Sequence, residues 1–350
     1  MSRKGVNKYL RKLALENIIQ LKPNGRSPDY RFRETRNVIH FENVPALRED
    51  DIWKNHVRPK LPPLSENVLA ICQYGMTEMI NNVIDHSNSK TMDLVIAYTI
   101  PKIWFWVMDD GVGIFNKIQK DSNLEDPRHA IIELAKGKLT SDPAHHSGQG
   151  IFFTSRMFNV FDIISGNLFF SGNEKTDYSV EVKQKNTGTS VFLLIQRDST
   201  LEMKTVFDRF SDNEENDYGF TKTLVQLKRM QDEGENLVSR SQAKRLIVRF
   251  EKFKEVVLDF NGIKTIGQGF ADQVFRIFKA DHPLTRLSAV NTNEEIDKRI
   301  RSAQNDDTTA DNTAPRSTPV LKASPTTATT VSTSSSSASV TPSSWYRPST

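Results

Sequence analysis

Apolar side chains recur at helical spacing after Ser65. Val68, Ile71, Cys72, Gly75, Met79 and Val83 fall on one stripe, which predicts a helix running to about His86. Leu61-Pro62-Pro63 stops whatever precedes it, and Ser65 stands at the expected N-cap. The runs MDLVIAYT (92–99) and KIWFWVMD (102–109) read as neighbouring strands joined by a turn at Pro101. A long polar, glycine-containing segment follows over 115–150. Further strands are expected at 161–170, 178–184 and 189–195. A second unit starts near 237, with a helix over 239–250, a strand VVLDFN (256–261) and a helix over 269–279. From Gln304 onward the apolar period is lost. The chain becomes rich in Ser, Thr, Pro and Ala, a composition that buries too little apolar surface to offset ordering, so 303–350 is expected to be disordered. Trp345 and Tyr346 near its end read as stray aromatics or as a docking point.

The 350 residues leave room for two domains and a tail. The formal net charge of +4 hides a local imbalance: residues 1–36 carry ten Lys and Arg against Glu16, Asp29 and Glu34. That basic end is either an electrostatic footprint for nucleic acid or a solvated terminus. Cys72 is the single cysteine, which excludes an internal disulfide and fits a reducing compartment. No apolar run approaches the ~20 residues of a membrane span. The expectation is a soluble, cytoplasmic protein with no membrane partner.

Three short pieces carry candidate chemistry. Glu78 and Asn82 are four residues apart on the first helix and share a face, with Asp85 and His86 one turn further on. A carboxylate there can polarise a water or hydroxyl, and the Asn amide oxygen is a hard ligand suited to Mg2+. An ordinary polar helix face accounts for the same spacing. Asp109 ends an apolar strand, where its carboxylate could accept from an adenine amino group. Gly111 and Gly113 permit a tight turn beside a ligand, although Asp-Gly turns are common. Gly148 and Gly150 precede an apolar helix start whose N–H groups could cradle phosphate.

In this order the pieces resemble the Bergerat-fold (GHKL) ATPase superfamily of gyrases and histidine kinases. The resemblance implies an α/β fold, a GHKL two-layer sandwich with a mixed sheet covered on one face by helices. It makes Glu78 the general base, Asn82 the Mg2+ ligand and Asp109 the adenine contact. Gly111 and Gly113 form the first glycine box, and Gly148 and Gly150 the second. Residues 115–147 become a lid that closes over ATP, with His145 and His146 read as lid residues near phosphate, while Lys136 and Lys138 either offset phosphate charge or form a solvated helix end. Arg156 either offsets phosphate charge or supports its helix.

The stretches KGKLTSDPAHHSGQGIFFTSRMF and VVLDFNGIKTIGQGFADQVFRIF resemble a bacterial family that joins this ATPase to a small STAS-like α/β domain, the fold of anti-sigma-factor antagonists. Antagonists carry a phosphorylatable Ser after the VVLDF-type strand. Here Gly267, Gln268 and Gly269 stand there, with Thr265, read as a strand residue, the nearest hydroxyl. The Ser and Arg residues of 239–245 either touch the ATPase domain or cap and solvate a helix. Residues 6–32 resemble the end of a winged-helix domain, with a recognition helix over 7–17 and a wing hairpin turning at Asn24-Gly25.

The expected organisation is therefore a basic winged-helix-like segment (1–36), a connector (37–60), a GHKL ATP-binding domain (61–200), a linker (201–236), a STAS-like domain (237–302) and the tail. The expected function is an ATP- and Mg2+-binding regulator whose nucleotide state controls the STAS-like part or a regulatory protein partner, with slow hydrolysis. The alternatives are an anti-sigma-like serine/threonine kinase, or a DNA-binding regulator contacting DNA through 1–36. A homodimer stays open. A sensor kinase would need an acceptor histidine; His40, in HFENVP, lacks helical surroundings.

Overall fold

The computed structural model describes residues 3–24, 27–137, 149–172, 177–211, 221–230 and 237–305. Most of the tail read as 303–350 thus lies outside the described residues. Helix α1 (Arg3–Leu15) leads into an antiparallel pair, β1 (Ile19–Asn24) and β2 (Ser27–Phe32), with Ile19 opposite Phe32. The chain then enters the larger sheet through β3 (Thr35–Glu42). A short helix α2 (Glu49–Ile52) precedes α3 (Glu66–His86). Ser65 occupies the N-cap of α3, as its position predicts, but its side chain makes no capping bond.

Strands β4 (Thr91–Tyr98) and β5 (Lys102–Asp109) form a hairpin closed by Thr99 N–H on the Lys102 carbonyl, at 2.9 Å, which places Pro101 in the turn. Helices α4 (Ile114–Asp121), α5 (Pro127–Lys136) and α6 (Gly150–Met157) follow, then β6 (Val160–Gly172) and β7 (Asp177–Gln196). Strand β7 spans both runs read as separate strands, because its irregular pairing with β6 around Ser165 and Gly166 absorbs the break in pattern.

The sheet order is β3-β4-β5-β7-β6 and every pairing is antiparallel, not mixed. Although β5 and β6 run the same way, β7 lies between them. The helical crossover leaves a slot there, and the return arm of the β6–β7 hairpin fills it. The segment read as a connector holds β3, whose eight residues pair with β4 from Thr35↔Tyr98 to Glu42↔Thr91. Alternation decides which face is covered. Leu94, Ile96, Ile103, Phe105, Val107, Leu193 and Ile195 are buried and share one core with Val68, Ile71, Cys72, Met76, Met79 and Ile80 of α3. Burial pushes the Cys72 thiol up to about 12, so it packs as a small hydrophobe.

Helix α7 (Met203–Phe210) and β8 (Lys222–Gln226) lie in the segment read as a linker. Helix α8 (Arg240–Ile247) precedes β9 (Glu255–Asp259). Helices α9 (Gln268–Ala271) and α10 (Phe278–Asp281) are continuous through a π-helical stretch, Asp272–Ile277. The predicted helix over 269–279 is therefore present, and Thr265 lies in the loop before it, not in a strand. Strand β10 (Arg286–Val290) and α11 (Glu294–Asn305) complete the described chain. Strands β10-β9-β8 form a parallel three-stranded sheet. Taking β8 from the supposed linker gives β9 a partner on both sides and buries Val256 and Leu258. The described residues all fall in one unit, and a single core runs from Phe41 to Ala303.

Candidate functional site

The C-terminal end of α3 is latched onto the turn after β5, and this latch builds the site. Ser87 closes the helix through its hydroxyl on the Val83 carbonyl at 2.6 Å, and the Val112 N–H donates to the Ser87 carbonyl at 2.8 Å. The Ser89 hydroxyl also bonds the Asp110 carboxylate. Gly111 is required by this approach, since a Cβ there would collide with the Ser87 carbonyl. Gly113 has φ +81°, and a Cβ on it would lie 2.6 Å from Ser165 Oγ. It starts α4 in a conformation that L side chains rarely adopt.

Between α3, the end of β5, α4 and β7 opens a cleft of about 390 Å3. That volume is in the range of small-molecule and cofactor sites. Asn82, Asp109 and Gly113 all line it, so three of the sequence-predicted residues meet in one place. Met79, Val83, Ile114, Ile118, Ile151 and Val191 supply an apolar wall, and His86 reaches the same cleft. The Asp109 carboxylate accepts from the Gly111 N–H at 2.8 Å and from the Thr189 N–H. Burial holds its pKa above the ordinary aspartate value; those backbone bonds oppose the rise and neighbouring Asp110 adds to it.

Glu78 and Gly111 stand beside the cleft, not in its lining. The Glu78 carboxylate lies against the start of α6, where a Cβ on Gly150 would collide with it. Glycine at 150 thus gives the carboxylate its place. Gly148, Lys138, His145 and His146 fall outside the described residues.

Two predicted phosphate cations are placed elsewhere. Lys136 is fully buried, and its ammonium donates to Glu133 Oε1 at 2.6 Å and to the Val248 carbonyl at 2.9 Å. Burial lowers its pKa against the opposing pull of Glu133. Arg156 is buried too, with its guanidinium 4.1 Å from the Phe152 ring centroid and bonded to Ser155 Oγ at 2.6 Å. Burial pulls its pKa down to about 10. Neither side chain lines the cleft: Lys136 ties the end of α5 to the residue after α8, and Arg156 packs on its own helix α6. His40 sits exposed on the edge strand β3, 2.7 Å from Asp93 Oδ1, in a strand and not on a helix.

Thr189, Lys117, Asp121, Ser122, Val248, Arg249 and Lys252 also line the cleft, and the sequence pattern did not single them out. A signal for Thr189 existed in Gly188, whose φ of +76° and contact with the Asp109 backbone mark a close approach. For the last three no local signal existed, because they come from the far end of the chain.

Those three leave α8 just before β9. Residues 242–297 match the family model of the STAS-like domain of unknown function (DUF4325). No curated protein matches the chain. The STAS-like domain is capped as its sequence predicts: Ser239 and Gln242 form a reciprocal capping box at the start of α8. Arg240 pairs within the domain, 3.3 Å from Asp272 Oδ2. Contact with α5 is made instead by Val248 and Arg249 at the other end of α8. Among the described residues no three His, Cys, Asp or Glu side chains gather as a metal-binding group, and no helix is long and apolar enough to cross a membrane.

Proposed function

We propose that the cleft binds Mg·ATP and that the protein is a nucleotide-responsive regulator of the Bergerat (GHKL) type, in which the bound nucleotide controls the STAS-like domain. The reading rests on one observation. Asn82, Asp109 and Gly113, drawn from a helix, a strand end and the turn after it, line a single cleft with an apolar wall. The residues present fit the ligand. The buried Asp109 carboxylate suits an adenine amino donor, Met79, Val83 and Ile151 offer apolar contact to a purine, and the Asn82 amide offers a hard oxygen. A magnesium ion carried by phosphates needs few protein ligands, which agrees with a donor set of one amide.

When bound, ATP supplies a transferable phosphoryl group whose charge magnesium offsets. Glu78, one turn before Asn82 and beside the cleft against Gly150, would accept the proton of the attacking water or hydroxyl as the phosphoryl group passes to it and ADP leaves. Asn82 would hold the cation, Asp109 would fix the base, and the apolar wall would shield the purine from bulk solvent. Water as nucleophile gives slow hydrolysis, and a Ser or Thr hydroxyl of a protein partner gives kinase activity. The test is calorimetric titration of the full chain with an ATP analogue, with and without Mg2+. Asn82→Ala is expected to weaken Mg·analogue binding by about tenfold or more, the loss of one charge-assisted contact, and to abolish the Mg2+ dependence. Unchanged affinity in Asn82→Ala would remove the assignment. Labelled ATP with cell extract then separates phosphate release from transfer to protein.

A second reading, a DNA-binding regulator, is favoured by α1 being followed directly by the β1–β2 hairpin in a segment rich in Arg and Lys. Deleting residues 1–36 is expected to lower DNA affinity and flatten its salt dependence. Equal binding by the intact and shortened chains at low and high salt ends that idea.

A further inference from the structure

We infer that the STAS-like domain supplies, in cis, a cationic wall of the nucleotide cleft, with Arg249 and Lys252 recognising the phosphate groups of the ligand. The inference rests on the adenine-nucleotide reading of the cleft and adds which part of the chain senses the phosphates.

Both side chains line the same cleft as Asn82 and Asp109, yet both belong to the matched STAS-like segment. Arg249 stands in the left-handed region, φ +65°, at the turn after α8. An arginine rarely adopts that backbone, and such strain persists only where the surroundings over-determine it. Here the surroundings are visible. Arg249 Nη1 lies 3.0 Å from Glu133 Oε2, and Nη2 donates to the Gly137 carbonyl at 2.8 Å. Glu133 also holds Lys136, so two cations share one buried carboxylate. Lys136 in turn anchors the Val248 carbonyl, and Thr223 Oγ1 donates to the Lys136 carbonyl at 2.8 Å.

The seam therefore joins the last turn of α5 to the STAS-like domain and holds Arg249 in the lining of the cleft. A phosphate dianion is the complementary charge, and guanidinium is the side chain best matched to it. Lys252 adds a second cation at the same lining. Because binding free energies are reciprocal, phosphates that engage Arg249 also tighten the seam.

The experiment uses the full chain and three probes: adenosine, Mg·ADP and Mg·ATP. The variants are Arg249→Asn and Lys252→Gln. Asn tolerates the left-handed backbone, and Lys136 still neutralises Glu133, so the fold should survive. Lys252 is exposed, and its replacement is structurally mild. Arg249→Asn is expected to lower Mg·ATP affinity by about tenfold or more, as for loss of a hydrogen bond to a charged group. Lys252→Gln should lower it several-fold. Adenosine affinity should be unchanged in both. Hydrogen exchange over 248–252 should slow on adding Mg·ATP but not adenosine. Wild-type affinity for Mg·ATP in both variants overturns the inference, and so does an equal loss for adenosine and ATP. If wild type binds Mg·ATP in an Asp109-dependent way while both variants match it, the inference fails alone. If wild type binds no adenine nucleotide, the underlying reading fails and takes the inference with it.

Discussion

Asp109→Asn is expected to weaken adenine-nucleotide binding by about tenfold or more, the scale of a lost charge-assisted hydrogen bond, while leaving the unliganded protein no less stable at neutral pH. The reason lies in the number of acceptors. The carboxylate accepts from the Gly111 and Thr189 N–H groups and still has lone pairs to offer a ligand. An asparagine that keeps its one oxygen on those backbone donors turns its NH2 toward the purine, so donor meets donor. The stability half follows from burial. Because burial raises the Asp109 pKa, the folded state binds a proton more readily than the unfolded chain. The ionised group therefore costs stability at neutral pH, and that cost falls away as pH drops through the raised pKa. Affinity runs the opposite way: it is present above the raised pKa and declines as pH falls through it. Titration calorimetry over a pH series should show that decline in wild type and not in Asp109→Asn. Equal affinity of the two proteins at neutral pH sinks the proposal that this carboxylate reads the base.

Glu133→Ala should be the most damaging single change at the seam, lowering unfolding free energy by about 3–5 kcal/mol. Glu133 is 2 % exposed and Lys136 is 0 % exposed. Removing the carboxylate leaves the buried Lys136 ammonium and the partly buried Arg249 guanidinium without their shared counter-charge. The Val248 carbonyl and the Phe250 ring, 5.4 Å from Lys136 Nζ, soften but do not replace it. Arg249→Asn, by contrast, leaves Lys136 and Glu133 balanced and should cost far less. Urea unfolding of the two variants beside wild type makes the comparison. Similar small losses in both would mean that the seam does not depend on this carboxylate.

Much of the fold was readable from local pattern. The α3 stripe, the β4–β5 hairpin around Pro101 and the helix after the VVLDF strand follow from short-range periodicity and turn chemistry, and each lies where that pattern predicts. β3 and β8 were not readable. Their sequences, TRNVIHFE and KTLVQ, are short and mixed, and they are strands because β4 and β9 offer them an edge. The direction of pairing was misjudged for a related reason: no local feature of β6 shows that β7 will fold back between it and β5. The cleft divides in the same way. Asn82, Asp109 and Gly113 stood out because their residue types suit the chemistry and their order matches a known pattern. Lys136 had the right charge and the wrong direction, since burial against Glu133 depends on packing and not on composition.

From the chain of letters come the helices, the hairpins, the apolar faces and the glycines that turns demand, since each depends on neighbours a few residues away. The folded arrangement alone brings Arg249 to Glu133, partners 116 residues apart, and puts Val248 and Lys252 in the lining of the cleft that Asn82 also lines. Such contacts are chosen by how two modules share one core, a property that no stretch of the chain carries locally.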